Sequence, residues 1–262
     1  MLQALLERQV VPDLVVGCSV GSLNGAFIAA NPSLTRVDTM IDTWSSISDR
    51  GLLTGSFFGR LGRLVRGGTY VHSNDGLRAL IEGGLGVSNF EDLPVHFECV
   101  AACIERAAGH WFSSGPVADA VLASCAVPGL LPAVEIDGEH FYDGGLVSSV
   151  PVGRAVGLGA RQIFVLHVGR LEQPLRAPST PWQVGLVAFE IARRHQFQED
   201  LAKVPGGVDV HVLPSGSQAP PVAVRYRHPS GIPARITAAH AAASAYLDHV
   251  FTGAAHRADD AD

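Results

Sequence analysis

Short apolar runs and longer amphipathic segments follow one another along the chain. A short continuous apolar run is typical of a buried strand, whereas an apolar residue at every third or fourth position is typical of a helix. The apolar runs predict strands at residues 14–16, 95–105, 133–136, 139–142, 162–168 and 208–213, with 111–113 as a hairpin partner of the second. The amphipathic segments predict helices at residues 1–9, 22–30, 34–47, 75–81, 117–124, 151–158, 182–201 and 233–251. Buried strands that alternate with helices predict an α/β domain with a largely parallel central sheet flanked by helices.

Length and composition indicate a single apolar globular domain. The chain has 262 residues, of which 47% are hydrophobic and 17% are charged, and this is enough for a substantial core. We expect one domain over residues 1–252, with its motifs in 1–170 and a helical and loop part in 171–252, followed by a disordered tail over 253–262. The net charge is −6 and no long basic run occurs, which argues against nucleic acid as a partner.

The apolar tracts and the cysteines bear on the location of the protein. No secretory signal is recognised at Met1, and the longest apolar tract, residues 117–134, is broken by Asp119 and Pro128, so it does not span a bilayer. The four cysteines lack Cys-x-x-Cys spacing, which favours buried thiols and is compatible with a reducing compartment. We therefore expect a cytoplasmic protein with at most peripheral membrane contact.

The candidate chemistry begins where the first predicted strand ends. Gly17-Cys18-Ser19-Val20-Gly21 has the form Gly-x-Ser-x-Gly and joins this strand to an Ala-rich helix. A nucleophile elbow needs such a strand–turn–helix setting, because the sharp corner exposes the serine hydroxyl. The N–H of Val20, at the start of the helix, would face a developing negative charge. A glycine-rich turn before a core helix has the same spacing, so the interpretation as an elbow depends on a partner for Ser19.

A serine hydroxyl is a weak nucleophile and needs a neighbouring base, most often histidine. His228, His240 and His249 follow Ser19 in the chain, as the histidine does in α/β-hydrolases, but that fold has several strands before its nucleophile and only one precedes Ser19 here. His240 and His249 also fall in a predicted helix, where a surface or capping role fits better. Asp143 is the better candidate, because the hairpin with Asp-Gly at its turn ends there and two glycines follow. A plain turn would explain the same residues.

Three sequence blocks taken together point to a family. They are Gly17-Cys18-Ser19-Val20-Gly21-Ser22-Leu23-Asn24-Gly25-Ala26, Ala123-Ser124-Cys125-Ala126-Val127-Pro128-Gly129-Leu130-Leu131-Pro132 and Asp143-Gly144-Gly145-Leu146-Val147-Ser148-Ser149-Val150-Pro151-Val152. With these blocks in this order, the chain closely resembles the bacterial patatin-like phospholipases over about residues 1–170. The joint match is far more specific than any single block.

The resemblance implies a three-layer α/β fold and the hydrolysis of lipid acyl esters. Ser19 matches the family's nucleophile and Asp143 its catalytic aspartate, so the pair would act as a Ser–Asp dyad through an acyl-enzyme. No metal-ligand cluster or Ca²⁺-loop pattern occurs in the sequence, and we expect catalysis without a metal or another cofactor. The flanking motif residues are Gly17, Cys18, Gly21, Gly144 and Gly145, and the apolar candidates for an acyl pocket are Leu130, Leu131, Phe57 and Phe58.

One element of the family pattern is expected to be missing. In the family, a Gly-rich loop after the first strand supplies N–H donors for the oxyanion, and here the helix that would follow this loop begins at Met1. The first strand and the loop are therefore expected to be absent, which leaves the Val20 N–H as the obvious donor. A shortened start, which we favour because a lost strand would expose the sheet, and a genuine short form with weak or no activity both remain open.

Two further alternatives follow from these residues. A catalytically silent patatin-fold module that binds lipid or protein, and an acyltransferase, are the alternatives to a hydrolase.

Residues 57–68 place Arg60, Arg63 and Arg66 three apart among apolar residues. An amphipathic surface helix is the simpler interpretation of this segment, and a lid or a segment that meets anionic lipid is the functional one.

Overall fold

The computed structural model of the chain describes residues 1–50, 70, 73–167, 174–179, 181–216 and 232–259. Three sequence predictions lie outside the described residues. They concern the arginine-containing segment 57–68, the acyl-pocket candidates Phe57 and Phe58, and His228.

The predicted helices and strands are present, with ends that differ by a few residues. The helices are α1 (Leu2–Leu6), α2 (Val20–Ala30), α3 (Leu34–Arg50), α4 (Asp75–Leu85), α5 (Val117–Ser124), α6 (Val152–Gly157), α7 (Pro181–Ala202) and α8 (Ile232–Asp259). The strands are β1 (Leu14–Cys18), β2 (His96–Cys103), β3 (Ala108–Phe112), β4 (Val134–Ile136), β5 (Glu139–Asp143), β6 (Gln162–Val165) and β7 (Asp209–Val212). The backbone of α8 continues to residue 259, past the start of the predicted tail at 253. None of the described helices is long and apolar enough to cross a membrane.

The main sheet brings the ends of two distant strands together. Its strand order is β1-β2-β5-β4, and β3 also pairs with β2. β1 runs parallel to β2 and places Cys18 opposite Val100, whereas β5 runs antiparallel to β2 and places Asp143 opposite Ala101. Because β3 pairs with residues 99–103 of β2 along one edge, β1 and β5 must share the other edge. Their carboxyl ends therefore meet head-on between Val100 and Ala101.

The main sheet is mixed, and the prediction of a largely parallel sheet was wrong in this respect. Among its described strands, β1–β2 is parallel, and β2–β3, β2–β5 and β4–β5 are antiparallel. The reason is that β2–β3 and β4–β5 are joined by short turns, which can only reverse the chain, whereas parallel neighbours need a long crossover. At the β4–β5 turn, Asp137 and Gly138 have φ values of 53° and 81°, as a type I′ turn requires. β6 and β7 form a separate parallel pair.

Helices cover both faces of the main sheet, so the three-layer α/β class is confirmed. On one face, alternate residues of β2 from Phe97 to Cys103 enter a large apolar core with residues of α2, α4 and α5. On the other face, Glu98 accepts hydrogen bonds from Arg154 of α6, at 2.6 Å from Nε and 3.1 Å from Nη2.

All four cysteines are free and buried, as the sequence predicts.

Candidate active site

Ser19 lies at the corner between β1 and α2 in a strained backbone conformation. Its φ is 55° and its ψ is −128°, which for a residue with a side chain costs about 1–3 kcal/mol. A nucleophile elbow requires a strained turn of this kind between a strand and a helix. The local geometry is thus the one that the Gly-x-Ser-x-Gly spacing predicts.

Two fully buried serines hold the backbone of Ser19 in this conformation. The Ser19 N–H donates to Ser124 Oγ at the end of α5, over 2.9 Å. The Ser22 hydroxyl donates to the Ser19 carbonyl oxygen over 2.6 Å, and the N–H groups of Ser22 and Leu23 donate to the same oxygen over 2.8 and 3.2 Å. Both polar backbone groups of the strained residue are therefore paired.

The residues that flank Ser19 in the motif differ in how strictly the fold requires them. A Cβ added to Gly17 would lie 2.6 Å from Ser22 Cα and 2.7 Å from the Gly21 carbonyl oxygen, so only glycine fits. A Cβ on Gly21 would have no atom within 4 Å. Burial, and next the charge of Asp143, raise the pKa of the Cys18 thiol well above its ordinary value, so this thiol stays neutral.

Asp143 contacts Ser19 across the junction of β1 and β5. Ser19 Oγ donates to Asp143 Oδ2 over 2.6 Å, although 124 positions separate the two residues in the chain. The Gly145 N–H donates to Asp143 Oδ1 over 2.7 Å, and the Asp143 N–H donates to the Ala126 carbonyl oxygen over 2.9 Å. Asp143 is only 3% exposed. The structure thus brings together the two residues that the sequence pairs.

The surroundings of Asp143 favour its protonated form more than water does. Burial raises the pKa of Asp143 above its ordinary value, because a low-dielectric environment disfavours the charged form. The hydrogen bonds from Ser19 and Gly145 and the charge of Arg193 act in the opposite direction. Burial, and next the charge of Asp143, also raise the pKa of the Cys125 thiol to about 12. A carboxylate with a raised pKa is a stronger base than an exposed one.

Gly144 and Gly145 let the chain leave β5 close to neighbouring residues. A Cβ added to Gly144 would lie 2.2 Å from the Val100 carbonyl oxygen, so the backbone leaves no room for a side chain. A Cβ added to Gly145 would lie 2.9 Å from the Phe189 ring. Together with the next residue they form a short 3₁₀ turn, which orients the Gly145 N–H toward the Asp143 carboxylate.

The other predicted site residues lie around this pair or away from it. Val20 begins α2, so its N–H has no acceptor within the helix. Leu130 and Leu131 are half-buried in the loop between α5 and β4. On α8, His240 Nε2 lies 2.8 Å from a carboxylate oxygen of Glu7, and His249 is exposed. These two histidines have the surface positions that the sequence predicts.

Three residues of the site were not predicted from the sequence. Ser22 and Ser124 lie within the sequence blocks that resemble the family, and this position could have indicated a role in the site. Arg193 lies on the amphipathic helix α7, where nothing in the sequence distinguishes it from the other charged residues of that helix. In the part of the chain that the structure describes, no group of three or more His, Cys, Asp or Glu residues is arranged to hold a metal ion.

A comparison with protein families matches residues 1–156 to the model of the Patatin-like phospholipase family. The chain belongs to the patatin-like phospholipase family. The match confirms the family that the three sequence blocks indicate. It includes Ser19 and Asp143 and ends within α6, so helix α7 lies outside it.

Curated proteins similar to this patatin-like chain come from a nematode and from fungi. The patatin-like phospholipase domain-containing protein ZK370.4 of Caenorhabditis elegans is 31% identical over 183 residues, which cover 66% of this chain and 12% of that protein. The lysophospholipase nte1 of Aspergillus terreus is 27% identical over 180 residues, which cover 66% of this chain and 11% of that protein. The chain therefore spans about a tenth of the length of these relatives. These relatives support membership of the family. They do not test the resemblance to its bacterial members that the sequence indicated.

Proposed function

We propose that this patatin-like chain hydrolyses carboxylic esters of lipids, with Ser19 as the nucleophile and Asp143 as the base. The observation that carries the proposal is the 2.6 Å hydrogen bond from Ser19 Oγ to Asp143 Oδ2. An incidental surface contact would need neither the strained backbone of Ser19 nor a carboxylate that is 3% exposed. Lipid esters are the proposed substrates because the family model and the relatives are named for phospholipases and lysophospholipases.

The proposed reaction has two halves. In the first, Ser19 Oγ attacks the ester carbonyl carbon while its proton passes to Asp143 Oδ2, and the bond to the alcohol breaks as this proton passes to the leaving oxygen. The product is an acyl-serine and a free alcohol. In the second half, Asp143 accepts a proton from water, the water oxygen attacks the acyl carbon, and the carboxylic acid leaves as the proton returns to Ser19.

Negative charge develops on the carbonyl oxygen in each half of this reaction. We propose that the Val20 N–H donates a hydrogen bond to that oxygen, because it is the first N–H of α2 and the N-terminus of a helix carries a partial positive charge. Loss of one such donor typically slows catalysis about 100- to 1000-fold. The φ of 55° and the ψ of −128° at Ser19 together orient the peptide plane that carries the Val20 N–H, so the strained backbone of Ser19 also places the proposed oxyanion donor.

Covalent labelling and ester hydrolysis together test the proposed function. We expect a fluorophosphonate probe to label the wild-type chain at Ser19, and a short-chain p-nitrophenyl ester and a lysophospholipid to be hydrolysed. Ser19→Ala and Asp143→Asn should each lower kcat/KM by about 1000-fold or more, whereas the exposed Ser114→Ala should match the wild type.

The possible outcomes of these assays are distinct. Labelling that persists in Ser19→Ala would remove Ser19 from the mechanism. A folded wild-type chain that is neither labelled nor active, but binds lipid vesicles, would favour a silent lipid-binding module. Transfer of the acyl group to an added alcohol in place of water would make the protein an acyltransferase.

A further inference from the structure

Helix α7 presents one stripe of side chains to the turn that follows β5. The stripe consists of Phe189, Arg193 and Gln196, which share one helix face because they are spaced at i, i+4 and i+7. The Phe189 ring fills the space where a side chain on Gly145 would lie, with 2.9 Å to the position of the added Cβ. Gln196 Nε2 donates a hydrogen bond to the Val147 carbonyl oxygen. The stripe therefore holds the segment directly after Asp143 at more than one point.

Arg193, in the middle of the stripe, carries its charge in an enclosed position. Its side chain is 15% exposed, and that of its ion-pair partner Glu190 is 16% exposed. Arg193 Nη1 donates to Ser149 Oγ over 3.3 Å, and Nη2 donates to Glu190 Oε2 over 2.8 Å. Two fixed partners and low exposure leave the guanidinium little freedom to move toward solvent.

The described groups that donate hydrogen bonds to the Asp143 side chain are neutral, and Arg193 supplies a positive charge. Burial makes a charged Asp143 unfavourable unless hydrogen bonds and an opposite charge compensate. Arg193 lowers the pKa of Asp143. Glu190 carries the opposite charge 2.8 Å from Arg193, so by Coulomb's law we expect it to offset part of this effect. The neutral groups are the Ser19 hydroxyl, the Gly145 N–H and the protonated thiols of Cys18 and Cys125.

We propose that Arg193 is a positioning residue of the active site, whose guanidinium, fixed by Ser149 and Glu190 in the stripe that packs on the turn after Asp143, supplies the positive charge that stabilises the Asp143 carboxylate. This inference rests on the proposed function, because it assigns Arg193 a role in the reaction of Ser19 with Asp143. Helix α7 lies outside the residues 1–156 that match the family. The catalytic aspartate thus comes from the family core, and its electrostatic partner comes from the segment that follows this core.

The test is the pH dependence of two rates measured on the 262-residue chain. They are the phosphonylation of Ser19 by a fluorophosphonate probe and kcat/KM for a short-chain p-nitrophenyl ester. In Arg193→Gln, we expect the acid limb of both profiles to move to higher pH, with rates below its midpoint lower by about threefold or more and KM changed by less than about twofold. In Glu190→Gln, the limb should move to lower pH, because the charge that offsets Arg193 is gone.

Two further variants separate the charge of Arg193 from its other contributions. Arg193→Lys keeps the charge, so its acid limb should stay near that of the wild type. Arg194→Gln is the matched control, because Arg194 is the next residue of α7 and its Nε also lies 3.5 Å from Glu190 Oε2. We expect the acid limb of Arg194→Gln to coincide with that of the wild type.

The inference is supported if the acid limb moves to higher pH in Arg193→Gln and to lower pH in Glu190→Gln. A loosened structure would instead lower both rates at every pH. An unmoved limb in a folded Arg193→Gln chain, or an equal displacement in Arg194→Gln, would overturn it. If Arg193→Gln does not fold, Glu190→Gln decides, and a limb at the wild-type pH overturns the inference. Failure of the proposed function is seen separately, because wild-type Ser19 would then not be labelled at any pH, and the role of Arg193 would fall with it.

Discussion

Replacement of Ser124 by alanine measures how the strained backbone of Ser19 is held. Ser124 is fully buried, and its Oγ accepts the Ser19 N–H over 2.9 Å. Alanine removes this acceptor, and an unpaired buried donor costs about 1–3 kcal/mol. For a chain of this length, each kcal/mol lowers Tm by about 2–4 °C, so Ser124→Ala should lower Tm by roughly 2–12 °C. Because Ser19 also loses a contact that holds its φ of 55°, kcat should fall more than tenfold, as misplacement of a reacting group by 1 Å costs about 100-fold.

Ser22→Ala is the matched control for this prediction, since Ser22 is an equally buried serine bonded to the same backbone. Its hydroxyl donates to the Ser19 carbonyl oxygen, but that oxygen keeps two backbone N–H donors, at 2.8 and 3.2 Å. Its loss should therefore destabilise the fold by only about 0.5–1.5 kcal/mol. Thermal unfolding and ester hydrolysis of the two variants are measured side by side. If Ser22→Ala lowers Tm as much as Ser124→Ala, the unpaired Ser19 N–H is not the source of the effect.

Three further changes have expected outcomes. Gly144→Ala should destabilise the fold by about 3 kcal/mol or more, because the new Cβ would lie 2.2 Å from a backbone carbonyl oxygen of β2; a Tm within about 2 °C of the wild type, on the scale of about 2–4 °C per kcal/mol, would contradict this. The native pKa of Asp143 is raised above the 3.8 of an exposed aspartate, so the stability from its protonated form is present below pH 3.8 and is lost as the pH rises through the native pKa. As the pH rises through that pKa, the Tm of Asp143→Asn should therefore increase relative to the Tm of the wild type, while hydrolysis is lost. A Tm difference between the two proteins that does not vary with pH would contradict the raised pKa of Asp143. Arg154→Met leaves the carboxylate of Glu98, which is 3% exposed, without its guanidinium partner at 2.6 Å and should cost about 2–4 kcal/mol in a urea titration, somewhat below the 3–5 kcal/mol of a fully buried pair. The control Arg78→Met breaks two exposed ion pairs, with Glu82 and Asp119, and should cost about 1 kcal/mol or less, so equal losses would contradict the role of burial.

Features that depend on neighbouring residues could be predicted from the amino-acid pattern alone. The Asp137-Gly138 turn follows from two adjacent residues that tolerate positive φ, and the two strands around it follow from their apolar pattern. The corner at Ser19 follows from a short apolar run, glycines and an Ala-rich helix within about twenty positions. Contacts over such short distances are encoded locally, so the hydrophobic pattern and the turn residues suffice to predict them.

The partner of Ser19 needed more than the local pattern. The residues alone were also consistent with a plain turn at Asp143. The resemblance to a family indicated Asp143 as the partner of Ser19. The tertiary structure shows why the contact forms, because β1 and β5 end head-on along one edge of β2 and place the two side chains 2.6 Å apart. This meeting depends on which edges the strands share, and a hydrophobic pattern contains no information about that.

The direction of the strands in the sheet and the electrostatics of the site could not be predicted without the three-dimensional fold. Apolar runs of similar composition form both parallel and antiparallel neighbours, so the pattern predicted a parallel sheet where short connections impose a mixed one. The roles of Ser124 and Arg193 depend on the packing of α5 and α7 against the corner and the turn. A buried serine and a charge on an amphipathic helix look ordinary in sequence, and only the three-dimensional structure places the serine against Ser19 and the charge beside the segment that follows Asp143.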